Sequence, residues 1–457
     1  MPSGMPYTRA ILNTSLIALS FKIFGISEFS ARIVSVIFGT LTIPLVYLVG
    51  AKVANKRVGL LAALLITFSV WQIVWAREAR MYAQFQFFYL LTAYLFYSGV
   101  DKKNLKTLSF SAVAFICAWF SHVLALTFLP VAVIYTLLYK REILKNRYFI
   151  FGTLLSAGLA LLYMIVTGKT PFGYIPSSAP MWGQHPFYFY AITSDLIILF
   201  LLVCISGVVP VLLWRSVPIK NRNGNPYLLL NFFIPFIILS IFTWKTSRYA
   251  FHIFPFLVLS ASYAIDLYII RKVINEDACT RISNKFKIKK ELVKNSTFAF
   301  LFIMVVLLLV QITLSIDAFY ISQKDHGDVP GVCHSNWKKG CDFVEDRLVE
   351  RDKIMTTVSL APLYYLGRED YFIRQKEYSG IINNEGQLVD MYTGDSIILT
   401  TYDSFTEVVN NDRGWVIADY RIDAYFTDPR VREYIRNNMT FHQNGSDDTI
   451  KVYSWNN

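Results

Sequence analysis

Up to about residue 320, apolar runs of about 17–25 residues alternate with short charged loops, and after Tyr320 no such run recurs. A run of that length, wound as a helix, matches the ~30 Å hydrocarbon layer of a bilayer. The alternation predicts about ten spanning helices, near 30–50, 57–76, 81–99, 105–121, 122–139, 147–166, 188–213, 227–243, 249–270 and 297–317. Around residue 122 about 33 residues must cross twice, or run as one long tilted helix. Hydrophobic residues make up 54% and charged residues 17%, where a soluble domain carries about a quarter charged. The fold class expected is therefore a polytopic α-helical membrane domain followed by a small external α/β domain. Its parts are 1–29 as an outer-face loop or interfacial helix, 30–320 as the transmembrane domain and 321–457 as the extracytoplasmic domain.

Alternate loops differ sharply in Lys and Arg. One set holds Lys52, Lys56 and Arg57, then Lys102, Lys103 and Lys106, then Lys140, Arg141, Lys145 and Arg147, then Arg215, Lys220 and Arg222, ending with the basic stretch 271–294. The other set holds only Arg77, Arg80, Lys169, Lys245 and Arg248. By the positive-inside rule the first set is cytoplasmic, so the net charge of +12 reflects membrane orientation, and no nucleic-acid partner is expected. The chain is expected to be a multi-pass cell-membrane protein with its tail outside. No signal peptide is visible at the start.

Beyond about 335 helix and strand patterns alternate. "CDFVEDRLVE", "LAPLYYLG", "SFTEVVNND" and "DPRVREYIRNN" read as helices. "DKIMTTVS", "DYFIRQ", "DSIILTT", "GWVIADY" and "TIKVYSW" read as strands, predicting a small parallel sheet. Neither G-x-G-x-x-G nor a P-loop is present, so no nucleotide cofactor is expected; a divalent metal stays open. Cys333 and Cys341, in "GVCHSNWKKGC", are placed where a disulfide can persist, and zinc is the competing reading. Asn438 and Asn444 head glycosylation sequons in the tail, and Asn13 and Asn295 head two more.

Charges at membrane depth are costly and normally line a wet cavity or pair with one another. "WAREARMY" places Arg77, Glu78 and Arg80 where one span ends and the next begins. The plain reading is an Arg–Glu cluster snorkelling to the headgroups. The functional reading is an anion pocket: Arg77 and Arg80, three apart, would share a helix face and offer forked donors to a phosphate. "TWKTSRYAFHIFPF" brings Lys245 and Arg248, followed by Tyr249 and His252, to the same side, and His122 in "WFSHVLAL" lies at the same depth. A lone histidine on an apolar face is more often a packed core residue. Three basic clusters at one leaflet nevertheless suit a lipid-linked phosphate.

These stretches carry a resemblance. "PYTRAILNTSLIALSFKIFGISEFSARIVSVIFGTLTIPLVYLVG", "WAREARMYAQFQFFYLLTAYLF" and "SRYAFHIFPFLVL" resemble the GT-C glycosyltransferases, in particular the protein O-mannosyltransferase and lipid A aminoarabinose transferase group. The similarity covers roughly residues 5–270. It implies transfer of a sugar from a polyprenyl or dolichyl phosphate to a protein or glycolipid acceptor at the outer membrane face. It implies inversion at the sugar carbon, with a carboxylate base and cations on the leaving phosphate. From their shared depth and the cost of charge in hydrocarbon, Arg77, Arg80, Lys245, Arg248 and Tyr249, with His122, are expected to border one cavity at the outer leaflet, and with Tyr82 they are the expected substrate-binding residues. The family's acidic motif, Asp often followed by Glu after the first helix, has no counterpart here. The expectation is a start upstream of Met1, or an inactive remnant, with Glu78 as the nearest acidic stand-in. A lipid-linked-sugar transporter or scaffold is the alternative class.

Overall fold

Ser27 starts the longest helix among the described residues by exchanging hydrogen bonds with Ser30, each hydroxyl accepting the other's backbone N–H. A computed structural model describes residues 10–145, 150, 158, 224–241, 247–266, 335–375, 380–423 and 426–456. They fall into two units, Arg9–Phe319 and Tyr320–Asn457 with Met1–Thr8.

In the first unit α1 (Ile11–Phe24) precedes α2 (Glu28–Val53), α3 (Lys56–Thr67), α4 (Val70–Arg77), α5 (Tyr82–Lys102), α6 (Leu105–Ser121), α7 (Phe128–Tyr139), α8 (Gly224–Ile241) and α9 (Phe254–Ala264). A 3₁₀ turn, Val123–Thr127, leads into α7, and another, Ser247–Ile253, leads into α9. Among the described residues α2 is long and apolar enough to cross a membrane alone, and α3 with α4 passes as a pair bent by 62°. The bend corrects the single span expected over 57–76. Its cause is local: Ser69 turns its hydroxyl to the N–H of Gln72 and caps α4, which breaks the helix ladder. The expected spans 188–213 and 297–317 lie outside the described residues, as does nearly all of 147–166.

The stretch around residue 122 folds back on itself as two helices rather than running as one. The rings of Phe115 on α6 and Phe128 on α7 are 6.5 Å apart, where a continuous helix would separate them by about 20 Å. The ends of this hairpin are clasped by Lys103 and Glu142, 2.5 Å apart. Nearby, Asp101 accepts from Lys52 at 2.9 Å and lies 3.5 Å from Lys140, and Arg57 meets Asp266 at 2.9 Å. The basic turns after α2, α5 and α7 therefore gather at one end of the bundle. α5, at 21 residues about 30 Å long, separates that end from Tyr82.

The bundle is apolar outside and partly polar within. Leu60, Phe110, Val113 and Ile241 are exposed, whereas Gln84, Gln86, Asn231 and His252 are buried. That arrangement suits a membrane helical domain, whose solvent is hydrocarbon. Close approaches set the packing: a Cβ at Gly39 would lie 2.4 Å from the Ala76 Cβ, so only glycine lets α4 rest on α2 there.

The second unit is a sheet covered on both faces. Its strands are β1 (Lys353–Thr356), β2 (Tyr371–Ile373), β3 (Gly380–Ile382), β4 (Leu388–Asp390), β5 (Ile397–Leu399), β6 (Gly414–Asp419), β7 (Thr440–Phe441) and β8 (Ile450–Trp455). Its helices are α10 (Trp337–Glu345), α11 (Ala361–Leu366), α12 (Tyr402–Asn411) and α13 (Pro429–Asn438). The order is β3-β4-β5-β2-β1-β6-β8-β7. Ile354, Trp415, Ile417 and Val452 pack under α10, while Met355, Val416, Ala418 and Tyr453 pack under α12 and α13. The centre, β5-β2-β1-β6, is parallel as expected, but both edges are antiparallel. The correction has a simple cause. Short connections such as 383–387 and 442–449 close hairpins, whereas a parallel crossover needs a dozen residues or more.

Candidate functional site

The first turns of α5 organise the end of the bundle opposite the basic turns. Tyr82, Gln84, Phe85, Gln86 and Tyr89 are all buried. Gln84 donates its Nε2 hydrogen to Ser121 Oγ at 3.0 Å, gripping the last residue of α6. Gln86 donates to the carbonyl of Phe251 at 2.8 Å, gripping the turn before α9. Between these clamps the Phe85 ring lies 5.2 Å from the His122 ring and 4.8 Å from the His252 ring.

His122 in turn lies 5.7 Å from the ring of Tyr82 and 5.7 Å from that of Tyr249. Three stretches far apart in sequence thus converge: the start of α5, the α6–α7 break and the turn Ser247–Ile253. Trp75 extends the contact to α4, with its ring 4.9 Å from Tyr82 and 6.2 Å from Phe251. Arg77 is the last residue of α4, two residues beyond Trp75, and is exposed.

The hydrogen-bond partners fix the imidazole tautomers. His122 Nδ1 accepts the N–H of Leu124 at 3.2 Å, capping the 3₁₀ turn, so its hydrogen sits on Nε2. His252 Nδ1 lies 2.8 Å from the carbonyl oxygen of Tyr249, which can only accept, so here Nδ1 carries the hydrogen. The two histidines beside Phe85 hold opposite tautomers.

Arg248 stands at the edge of this cluster, its guanidinium carbon 5.7 Å from the Tyr249 ring. Its Nε is buried and has no hydrogen-bond partner among the described residues. A buried donor left unpaired costs about 1–3 kcal/mol, and more where the group is charged. An anionic oxygen at this point would remove the cost.

Several expectations change. Arg77 and Arg80 do not share a helix face: α4 ends at Arg77, α5 begins at Tyr82, and the residues between form a turn. That turn is tied by the Arg80 N–H to the Glu78 carbonyl at 2.7 Å, and Ser35 Oγ donates to the Arg80 carbonyl at 3.0 Å. Arg80 is exposed and Glu78 is half-buried. Lys245 lies outside the described residues. In the second unit Cys341 is a free thiol rather than a bridged one, buried against the sheet beside Trp415 and Val452. Its side chain faces the domain core, and the expected partner Cys333 lies outside the described residues. Among the described residues no group of three or more His, Cys, Asp or Glu is placed to hold a metal ion.

Gln84, Gln86 and Phe85 were not singled out from the sequence, and His252 was noted only as a neighbour of Tyr249. Their signal is present in "YAQFQFF", where two amides interrupt an apolar run. Polar groups within a spanning helix are rare and turn inward.

Residues 9–166 match the dolichyl-phosphate-mannose-protein mannosyltransferase family. An uncharacterized protein of Aquifex aeolicus is 27% identical over 272 residues, 57% of this chain, and the chain spans about half (53%) of that relative's length. The crystal structure of ArnT from Cupriavidus metallidurans in the apo state superposes with a TM-score of 0.58 at 14% identity, covering 97% of this chain and 87% of that one. The same protein bound to undecaprenyl phosphate gives 0.54 at 14% identity, with the same coverage. The Archaeoglobus fulgidus oligosaccharyltransferase tethered to an acceptor peptide gives 0.54 at 12% identity, covering 100% of this chain and 67% of that one. The family match bears out the resemblance to the protein O-mannosyltransferases over residues 9–166, and the superpositions show a shared fold.

Proposed function

We propose that this chain is a multi-pass membrane glycosyltransferase that moves a sugar from a polyprenyl or dolichyl phosphate to a protein or glycolipid acceptor at the outer membrane face. The observation that carries the reading is the buried Nε of Arg248, without a partner among the described residues, against Tyr249, whose ring in turn meets His122. A guanidinium in that state calls for an anion, and phosphate oxygens match its fork. His122 would add an N–H donor through Nε2, and Arg77 and Arg80 would lie at the border of the same site. Similarity to a protein whose structure holds undecaprenyl phosphate supports the choice of anion.

In the reaction the acceptor's nucleophilic atom attacks the anomeric carbon as the bond from that carbon to the phosphate oxygen breaks. The departing phosphate keeps the electron pair, and Arg248 offsets its charge as it grows. The acceptor's proton must pass to a base. Glu78, in the turn between α4 and α5, is the base assigned on this chain. The external placement of the second unit and the gathering of basic turns at the opposite end of α5 follow the same orientation.

Binding of undecaprenyl phosphate to the purified full chain, read by native mass spectrometry, tests the reading. Arg248→Ala should weaken binding by about tenfold or more, and Arg248→Lys by less, because lysine cannot hold two oxygens at once. Wild-type affinity in Arg248→Ala would refute the anion site. Glu78→Gln should abolish transfer while leaving lipid binding intact, and unchanged transfer would remove Glu78 as base.

A further inference from the structure

The lipid-phosphate reading leaves His252, a buried titratable group beside Phe85, unused. His252 is 1% exposed, its ring 4.8 Å from Phe85 and 4.8 Å from Tyr89. Its Nε2 is buried and has no hydrogen-bond partner among the described residues. A phenylalanine would fill the same space without leaving a lone pair dry, a cost of about 1–3 kcal/mol. Packing alone therefore favours another residue at this position.

What the imidazole supplies and a phenyl ring lacks is the Nδ1 hydrogen. It is donated to the carbonyl of Tyr249 at 2.8 Å, three residues back along the same turn. A second side chain, Gln86, holds the carbonyl of Phe251 from α5 at 2.8 Å. Two carbonyls of the seven-residue turn Ser247–Ile253 are thus fixed by side chains from the buried side. The residues so held are those that carry Arg248 and Tyr249 toward His122. A guanidinium serves an anion only if its angle is set in advance, since a fork displaced by an ångström loses one of its two contacts.

Resting on the reading of Arg248 as the phosphate ligand, we propose that His252 is a positioning residue of that site. Its Nδ1–H fixes the turn that presents Arg248 and Tyr249, and the ring itself touches no substrate. The anion is held by Arg248, and His252 acts only through the Tyr249 carbonyl.

Three substitutions in the full chain separate this role from space filling. His252→Asn keeps an N–H near the position of Nδ1, His252→Gln places one near Nε2, and His252→Phe keeps the ring volume. Binding of undecaprenyl phosphate is measured beside the melting temperature of each variant. His252→Asn should bind within about threefold of wild type, while His252→Gln and His252→Phe should lose about tenfold, the worth of one hydrogen bond. His252→Phe should melt no lower than wild type, which removes misfolding as the cause of its weaker binding. In an Arg248→Ala background the His252→Phe loss should disappear, because a residue acting through Arg248 has nothing left to position. Wild-type binding by His252→Phe overturns the proposal, as does an equal loss in the Asn and Phe variants or full additivity with Arg248→Ala. A wild-type chain that does not bind the lipid, or an Arg248→Ala chain that binds it normally, sinks the phosphate reading itself. The two failures are therefore distinguishable.

Discussion

Glu369 makes the stability of the second unit depend on pH in the direction opposite to most carboxylates. Its side chain is 8% exposed. One oxygen accepts the N–H of Leu360 at 2.9 Å and the other the hydroxyl of Ser396 at 3.0 Å. Burial pushes its carboxyl from 4.5 up to about 8, and the neighbouring Asp390 and Asp370 add to the rise against those two hydrogen bonds. Between pH 4.5 and about 8 the folded chain holds a proton that the unfolded chain has released. Stability therefore falls as pH rises through this window and is fully present only below it. The gap corresponds to about 5 kcal/mol as an upper bound, before the site relaxes around the charge. Glu369→Gln stays neutral throughout; its amide can donate to Ser396 while its oxygen accepts from Leu360. Hydrogen exchange of the β2 amides, compared between variant and wild type at matched pH, reads the effect directly. Near pH 5 the two should agree within about 1 kcal/mol, and by pH 9 the variant should be better protected by several. Equal protection at pH 9 would refute the reasoning, because it would mean that this carboxylate ionises without cost in its buried setting.

Other outcomes follow from the same coordinates. Lys103→Cys combined with Glu142→Cys should be joined by a short bismaleimide, since the tips of the native side chains meet at 2.5 Å; failure to cross-link would favour one long tilted helix. Cysteines placed at Asn438 and Asn444 should react with an impermeant reagent in intact cells and one at Asn295 should not, with the reverse pattern overturning the orientation. The thiol of Cys341, fully buried and pushed by burial up to about 12, should stay silent to maleimide until the chain is denatured. Rapid labelling of the native protein would contradict its place in the core.

The parts of the fold that the sequence made legible are those set by local pattern. α2, α5 and the α6–α7 pair follow from apolar runs bounded by polar loops, and the parallel strands follow from short apolar runs between amphipathic helices. The bend at Phe68–Ser69 was hidden because a single capping hydroxyl decides it within an otherwise continuous run. β3 and β4 were hidden because "EYSGIINNEGQLVDMYTG" scatters its few apolar residues among glycines and polar groups and offers no apolar run to read. The direction of β8 depends on the length of the connection before it rather than on its own residues. At the site, proximity was the missing quantity. Nothing in the spacing of residues 85, 122 and 252 says that one phenyl ring lies against both imidazoles, because that depends on how α5 meets two distant turns.

The charges of this end of the bundle also rank differently once their surroundings are known. In sequence "REAR" looks costliest, three charged groups within four residues of an apolar span. In the structure Arg77, at the end of α4, and Arg80, in the turn beyond it, are exposed, so the guanidinium can reach water or headgroups and the penalty of membrane depth largely vanishes. Arg248 looks ordinary in "TSRYAF", yet its Nε is buried without an acceptor among the described residues. A buried donor in that state is the better pointer to a ligand. By that measure the first residue to alter is Arg248, and the exposed pair should influence how readily the lipid arrives more than how tightly it is held.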